Sequence, residues 1–129
     1  MRKLNTIQKI ENLNHVFVDD SCDKVGGAAH HYVIRRLGVE IGDDNYPDYD
    51  TIAHIDFQCG ARTDENSKVG VIDTDLLEIV RDRLKGFQSG EFATEDNAEA
   101  LKHIEIALMY MNKRVMDRYE RNVLGTYEK

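Results

Sequence analysis

The stretch from Thr94 to Thr126 limits the fold of this chain more than any other part of the sequence. Its apolar residues recur at alternating steps of three and four, which is the spacing of a helix face that packs on another helix and not that of a strand. Thr94 is a typical helix N-cap, and Gly125 is a typical residue at which a helix ends. The spacing therefore predicts one long helix with an apolar seam, formed by Leu101, Ile104, Leu108, Met111 and Val115.

A shorter helical pattern precedes the long one. It is predicted to run from Asp75 to about Gln88, with Asp73 or Thr74 as its N-cap and Gly90 at its end. The link to the next helix is short, so the two helices must run antiparallel as a hairpin. The apolar face of the shorter helix is formed by Leu76, Leu77, Val80, Leu84 and Phe87.

The two predicted helices differ in length. At about 1.5 Å per residue, the long helix reaches about 40 Å and the short one about 21 Å. The basic end of the long helix therefore either protrudes or meets another subunit. Because an exposed apolar seam is costly, we expect a homodimer at least.

The first half of the chain is predicted to form strands. Three segments are rich in β-forming residues or alternate in polarity, namely His15–Val18, His31–Leu37 and Thr51–Cys59. The acidic segment Gly38–Asp50 is predicted as a solvated loop, and Met1–Asn14 as a polar lead-in. The predicted fold class is α+β in one domain over residues 1–129, with a small N-terminal antiparallel β-sheet over residues 14–60 followed by a C-terminal antiparallel helical hairpin over residues 73–124.

Charge and length exclude several classes of function. The chain has 129 residues and a formal net charge of -7, whereas a protein that binds a nucleic-acid polymer needs a broad basic surface. No apolar run is long enough to predict a membrane span or a signal peptide. A small anionic ligand is still allowed, because a few arginines in one pocket suffice to bind a phosphate.

Three arginines share one face near the end of the long helix. Arg114, Arg118 and Arg121 lie at i, i+4 and i+7. Their forked donors suit phosphate oxygens. The alternative is a solvated face on which they pair with Asp117 and Glu120. From the residues alone this alternative is favoured, because charge runs on helices are mostly surface.

Two further positions have both a structural and a ligand-binding interpretation. Asn97 precedes the first seam residue by four positions, and it either sets the register of the helices or hydrogen-bonds a base or ribose edge. Phe87 and Phe92 flank the hairpin turn. An aromatic residue at such a place either packs in the core or stacks on a purine.

No catalytic or metal site is predicted. The sequence has no nucleophile motif, phosphate-binding loop, HExxH or CxxC, and Cys22 and Cys59 do not form a zinc-site spacing with the histidines. His30 and His31 would point to opposite faces of a strand and cannot hold one metal together. The absence of a catalytic set favours a binding protein. The alternative is an enzyme that uses His30, His31 or His54 as acid or base.

Six segments follow one another in a fixed order along the chain. They are GGAAHHY at 26–32, HIDFQCG at 54–60, LEIVRDRLKGFQSG at 77–90, NAEAL at 97–101, the stretch from Arg114 to Arg118, and Gly125-Thr126. Together they resemble the phage hairpin-domain family of anti-Thoeris and anti-CBASS proteins, in particular its first anti-Thoeris branch. The resemblance covers roughly Asn14 to Lys129, and it implies a sheet in front of the hairpin.

The resemblance also implies a function. Such proteins bind a nucleotide second messenger of bacterial immunity without cleaving it and without a cofactor, in the cytoplasm of the bacterial host. For the anti-Thoeris branch the ligand is glycocyclic ADP-ribose, made by a host TIR-domain enzyme. Some members assemble as hexamers, trimers of dimers, with separate pockets for cyclic di- or trinucleotides.

By motif match, the resemblance assigns five ligand-binding residues in this chain. It implies that Phe87 stacks on the adenine and that Arg62, Arg114 and Arg118 bind the pyrophosphate, with Asn97 as a further ligand-binding residue. Arg62 lies after the third predicted strand, so the sheet and the hairpin are expected to build the site jointly.

Overall fold

The computed structural model describes residues 1–8, 13–19, 25–41 and 47–121. The chain divides into two compact units, Met1–Gly60 with the strands and Ala61–Lys129 with the helices. The predicted α+β class is confirmed, and the assignment of both units to a single domain stays a prediction. The described elements are β1 (Arg2–Lys3), β2 (His15–Asp19), a 3₁₀ turn (Val25–Gly27), β3 (His31–Ile41), β4 (Pro47–Asp56), α1 (Asp73–Gln88) and α2 (Glu95–Glu120).

The described strands form one antiparallel sheet in the order β1-β2-β3-β4. Phe17, Val33 and His54 are direct partners across β2, β3 and β4, so their side chains share one face. On that face Val33 is 0% exposed, and on the opposite face Val18 is 2% exposed. The middle of the sheet therefore has a buried apolar residue on each face, which anchors the unit.

The central hairpin of the sheet is longer than predicted. β3 continues to Ile41 and β4 begins at Pro47, so the prediction of a loop over the whole of Gly38–Asp50 is wrong. The two strands pair outside their predicted bounds, for example at Ile41 with Pro47. Backbone pairing satisfies donors and acceptors whatever the side-chain charge, so an acidic composition did not exclude a strand. Residues 42–46 lie outside the described residues.

The sheet differs from the prediction at two more places: it has an additional strand, β1, and β4 is shorter at its C-terminal end. Arg2–Lys3 pairs with β2, and the Leu4 N–H donates to the Val16 carbonyl at 2.8 Å, which corrects the polar lead-in predicted there. Two residues are too few for an alternating pattern to appear in the sequence. β4 ends at Asp56 and not at the predicted Cys59.

α1 begins at Asp73, two residues earlier than predicted, and its N-cap is Ile72 rather than Asp73 or Thr74. The Asp75 carboxylate reaches back to accept the Ile72 N–H at 2.9 Å. This is the half of a capping box that the third helical residue supplies, so an apolar residue can stand at the cap. The predicted end at Gln88 is confirmed.

α2 begins as predicted. Thr94 is its N-cap, and the Thr94 hydroxyl accepts the Asn97 N–H at 3.0 Å. Glu95 and Asp96 then place negative charge at the positive end of the helix dipole. α2 ends at Glu120 with Arg121 as its C-cap, earlier than the predicted stop at Gly125, and Gly125 itself lies outside the described residues. Neither described helix is long and apolar enough to cross a membrane.

An ion pair shows that the two helices run antiparallel. The Arg81 Nε donates to the Glu105 carboxylate at 2.8 Å, whereas the Gln88 amide contacts the Thr94 backbone. An earlier residue of α1 thus lies beside a later residue of α2, as in two antiparallel helices. Glu105 and, to a lesser extent, Glu78 raise the pKa of the Arg81 guanidinium above its ordinary value, because both carboxylates accept its hydrogen bonds.

α1 covers only part of α2, as the predicted length difference requires. By the Arg81–Glu105 pairing, Asp73 at the start of α1 lies opposite about residue 113 of α2. The exposure of the seam follows this limit, since Leu108 is 4% exposed and Val115 is 39% exposed. At about 1.5 Å per residue, the 26 residues of α2 span about 39 Å and the 16 residues of α1 about 24 Å.

Candidate functional site

The turn end of the hairpin carries two of the predicted site residues, Phe87 in the last turn of α1 and Asn97 in the first turn of α2. Phe87 is 41% exposed, and the guanidinium carbon of Arg83 lies 5.5 Å from its ring centroid. Asn97 is half-buried. An accessible ring and an amide at one end of the hairpin suit a flat base with a polar edge, because the ring stacks and the amide both donates and accepts.

Hydrogen bonds fix the two helix ends at this turn. The Gln88 amide pairs with the Thr94 backbone in both directions: Nε2 donates to the Thr94 carbonyl at 3.0 Å, and the Thr94 N–H donates to Oε1 at 3.0 Å. The Ser89 hydroxyl donates to the Gly86 carbonyl at 2.7 Å. The turn is thus held by bonds within the chain.

The other end of α2 carries the basic residues. Arg114 is exposed and makes no hydrogen bond or ion pair within the part of the chain that the structure describes, and Arg118 is half-buried. The Arg121 guanidinium lies 3.4 Å from the Asp117 carboxylate on the same exposed surface. Arg121 therefore fits the solvated-face alternative, whereas Arg114 has donors available for a ligand.

The two groups of predicted site residues cannot meet within one hairpin. Arg114 and Arg118 lie 17 and 21 residues beyond Asn97 on the same helix, which is a rise of about 25 Å and about 31 Å. No side chain closes such a gap. If both groups act on one compact ligand, the arginines must come from a second copy of the chain.

Arg62 lies between β4 and α1 and belongs to the same compact unit as the two helices. Its side chain is exposed. Within residues 1–8, 13–19, 25–41 and 47–121 it makes no hydrogen bond or ion pair. Like Arg114, it therefore has donors that no described residue uses. The expected joint contribution of sheet and hairpin to one site stays a prediction.

The sequence reasoning missed two residues at the turn end, Arg83 and Gln88. Arg83 precedes Phe87 by four positions, and residues so spaced are neighbours on a helix, so this contact had a signal in the sequence. The bond from Gln88 to Thr94 crosses six residues of an irregular turn. No periodicity marks such a contact.

A second polar group lies on the sheet. The His31 Nδ1 lies 2.6 Å from the Asp56 carboxylate, and the His31 ring stacks on His54 with centroids 5.7 Å apart. A carboxylate at Nδ1 favours a proton there and leaves Nε2 as the basic atom. Among the described residues, no three or more His, Cys, Asp or Glu side chains converge in a way that could hold a metal ion.

Comparisons with known proteins place the chain in a family. Residues 50–116 match the family model described as "Acb2/Tad1, hairpin domain". The chain is also 34% identical over 128 residues to "Thoeris anti-defense 1" of Bacillus phage SBSphiJ7, over 88% of this chain and 89% of that relative. The chain therefore belongs to the Acb2/Tad1 hairpin-domain family, and the resemblance expected from its motifs is confirmed.

The family match covers the last part of β4, all of α1 and most of α2. Four of the five predicted ligand-binding residues fall inside it, and Arg118 lies two residues beyond its end. The match identifies the hairpin as the part of the chain that defines the family. The roles of the five individual residues stay predictions.

Proposed function

We propose that this chain is a phage anti-defence protein that blocks Thoeris immunity by binding glycocyclic ADP-ribose and holding it without cleaving it. The observation that carries the proposal is the 34% identity, over 88% of the chain, to a phage protein named for anti-defence against Thoeris. The chain adds its own support at both ends of the hairpin. The turn end carries an exposed aromatic ring and a half-buried amide, and at the open end Arg114 is exposed and makes no hydrogen bond or ion pair among the described residues.

Each proposed contact follows from the chemistry of a dinucleotide-like ligand. The Phe87 ring stacks on the adenine, and the Asn97 amide bonds a base or ribose edge. Arg114, Arg118 and Arg62 donate to the pyrophosphate oxygens through charge-assisted hydrogen bonds. All five contacts bind the ligand, and none activates a water molecule or a nucleophile. Sequestration therefore requires no catalytic group.

The proposed site needs a homodimer. The turn end and the arginines of one chain are separated by about 25 Å along α2. Two hairpins related by a twofold axis and running in opposite directions would bring the turn of one chain to the arginines of its partner, at two equivalent places. Large apolar side chains are available for such a contact past the end of α1: Val115, Met116 and Tyr119 are between 39% and 65% exposed.

Release of the ligand by heat tests sequestration. The purified protein is mixed with glycocyclic ADP-ribose until a Thoeris effector assay no longer responds, and the mixture is then heated and cleared of precipitate. We expect the supernatant to activate the effector fully and to contain the unchanged ligand by mass spectrometry. Recovery of a cleaved product would overturn the proposal.

Mixing two inactive variants tests the shared site. One chain carries Phe87→Ala and the other carries Arg114→Ala with Arg118→Ala. In a heterodimer of the two, one site is damaged on both sides and the other is intact, so after random exchange about a quarter of all sites should bind the ligand. A site formed within a single chain would give no recovery on mixing.

One observation favours a second candidate function, an enzyme that degrades the nucleotide signal. The 2.6 Å contact between His31 and Asp56 holds the imidazole in the orientation that a general base needs. His30 precedes His31 in the sequence, and the ring of His54 stacks on that of His31. Degraded ligand in the heat-release assay, together with loss of degradation in His31→Gln, would establish this function in place of sequestration.

A third candidate is a structural or regulatory oligomer in which the arginines pair with carboxylates of another subunit. Arg121, which pairs with Asp117 in its own chain, shows that an arginine at this end of α2 can serve in an ion pair. A calorimetric panel of glycocyclic ADP-ribose isomers and cyclic di- and trinucleotides separates the cases. Binding of glycocyclic ADP-ribose supports the proposal, and binding of no nucleotide supports the oligomer. Binding of a cyclic di- or trinucleotide would indicate a second pocket. A separate measurement of mass in solution that gives six chains would indicate a trimer of dimers.

A further inference from the structure

The side chain of Gln88 joins the helix end that carries Phe87 to the helix start that carries Asn97. Gln88 follows Phe87 directly in α1, and its amide holds both the N–H and the carbonyl of Thr94 at 3.0 Å. Thr94 in turn accepts the Asn97 N–H on its hydroxyl at 3.0 Å. Hydrogen bonds therefore connect the side chain of Gln88, the residue after Phe87, to Thr94, and Thr94 to the backbone N–H of Asn97.

The Gln88 amide does more than close a turn. Thr94 is the N-cap of α2, and its carbonyl also accepts the Ala98 N–H at 3.1 Å in the first turn of that helix. By binding both backbone groups of the cap residue, Gln88 ties the last turn of α1 to the first turn of α2. The distance and angle between two helix ends are thereby set by a side chain and not by the six-residue connection alone.

We propose that Gln88 is a positioning residue of the ligand site, which fixes Asn97 relative to Phe87 before the ligand arrives. The inference rests on the proposed function, because it concerns the same two residues. Its physical basis is preorganisation: groups already held in the binding geometry lose less freedom when the ligand binds. Gln88 itself does not contact the ligand.

Gln88→Met tests the inference, because methionine keeps the length and the helix propensity of glutamine and removes both amide bonds. We expect the Kd for glycocyclic ADP-ribose to rise about tenfold. The matched control is Ser89→Ala, which removes the 2.7 Å bond to Gly86 in the same turn and leaves the link to Thr94 intact. Both variants should lower the Tm by a similar amount, but Ser89→Ala should leave the Kd for glycocyclic ADP-ribose unchanged. Equal effects of the two variants on Kd would overturn the inference.

A double-mutant cycle separates positioning from a general loss of stability. If Gln88 acts through Asn97, Gln88→Met should raise the Kd much less in an Asn97→Ala background than in the parent chain. In an Arg118→Ala background its effect should remain about tenfold, because Arg118 is proposed to bind the pyrophosphate and shares no hydrogen bond with Gln88 or Asn97. Full additivity with Asn97→Ala would contradict a positioning role.

Amide hydrogen exchange provides a test that needs no ligand. Gln88→Met should increase exchange at the Thr94 and Asn97 amides, and Ser89→Ala should leave both protected. Unchanged protection in Gln88→Met would overturn the inference whatever the ligand. If instead the exchange result holds and the parent chain does not bind glycocyclic ADP-ribose, the proposed function fails and the positioning of Asn97 by Gln88 stands.

Discussion

The two ends of the hairpin are built differently. At the turn end, Gln88, Ser89 and Thr94 make hydrogen bonds within the chain, so that end is held in one arrangement. At the open end, α2 continues past the start of α1, and Val115 and Tyr119 are 39% and 65% exposed. The turn end is therefore complete in a single chain, whereas the open end has the apolar surface and the cations that a partner and an anion would use.

Removing the two arginines of the open end should have the largest effect. In a chain with Arg114→Ala and Arg118→Ala, we expect a loss of about 4 kcal/mol of binding free energy for glycocyclic ADP-ribose, or about a thousandfold in Kd, because charge-assisted hydrogen bonds to phosphate are the strong ones. Isothermal calorimetry measures the loss. The single variant Arg114→Ala should leave the Tm without ligand nearly unchanged, since Arg114 is exposed and has no partner among the described residues, so its loss of affinity reports binding alone.

Lys113→Ala is the matched control for the charge. Lys113 is exposed on the same stretch of α2, but it points away from Arg118. Five residues turn a helix through about 500°, which leaves the two side chains about 140° apart around the helix axis. Its removal should change the Kd less than twofold. If Lys113→Ala weakens binding as much as the arginine variant does, the affinity depends on the net charge of the open end and not on the positions of Arg114 and Arg118.

Leu108→Ala should have the next largest effect, on stability. Leu108 is 4% exposed at the middle of the seam, and deletion of a buried leucine side chain costs about 3 kcal/mol. Val115→Ala on the same seam should cost less than about 1 kcal/mol in a dilute sample, because Val115 is 39% exposed past the end of α1. Urea unfolding measures both. Equal losses would mean that α2 is covered evenly along its length.

The sequence predicted the hairpin well because its signals are local. The steps between Leu101, Leu108 and Val115, together with the cap at Thr94, define α2 without reference to the rest of the chain. The predictions of strand ends were poorer, because pairing such as that of Leu37 with Tyr49 depends on two distant segments. Patterns within one segment cannot report a partner strand.

The candidate site divides in the same way. Spacing alone left Arg114 and Arg118 as surface charge, and their assignment to a ligand came from the family resemblance. The distance of about 25 Å between Asn97 and Arg114 follows directly from helix geometry, and it turned the expected dimer into a requirement of the proposed site. The Gln88–Thr94 pair was beyond sequence reasoning, because it depends on the path of an irregular turn.

Tyr119→Glu should disrupt the proposed dimer. Tyr119 lies eleven residues after Leu108, about three turns, so it continues the seam past the end of α1. A buried tyrosine at an interface commonly contributes about 2 kcal/mol, so we expect the dimer Kd to rise about thirtyfold. Sedimentation velocity over a range of concentrations measures the shift, and the monomer should stay folded.

Tyr110→Glu is the matched control for the interface. Tyr110 is 68% exposed and Tyr119 65%, but Tyr110 lies two residues from Leu108 and so on the opposite side of α2. The same substitution there should leave the dimer intact. If Tyr110→Glu dissociates the dimer and Tyr119→Glu does not, the partner packs on the face of α2 that carries Tyr110. The apolar seam would then not form the dimer interface.

Thr94→Val should have the smallest effect, confined to the turn end. Valine keeps the backbone N–H and carbonyl that Gln88 holds and removes only the hydroxyl that accepts the Asn97 N–H. Loss of such a cap costs about 1 kcal/mol of unfolding free energy. The Kd for glycocyclic ADP-ribose should rise no more than about threefold, because Gln88 still fixes the start of α2. The dimer Kd should not change, since the turn end needs no partner to be complete. A loss of affinity as large as that of Gln88→Met would instead mean that the hydroxyl, and not the amide of Gln88, sets the position of Asn97.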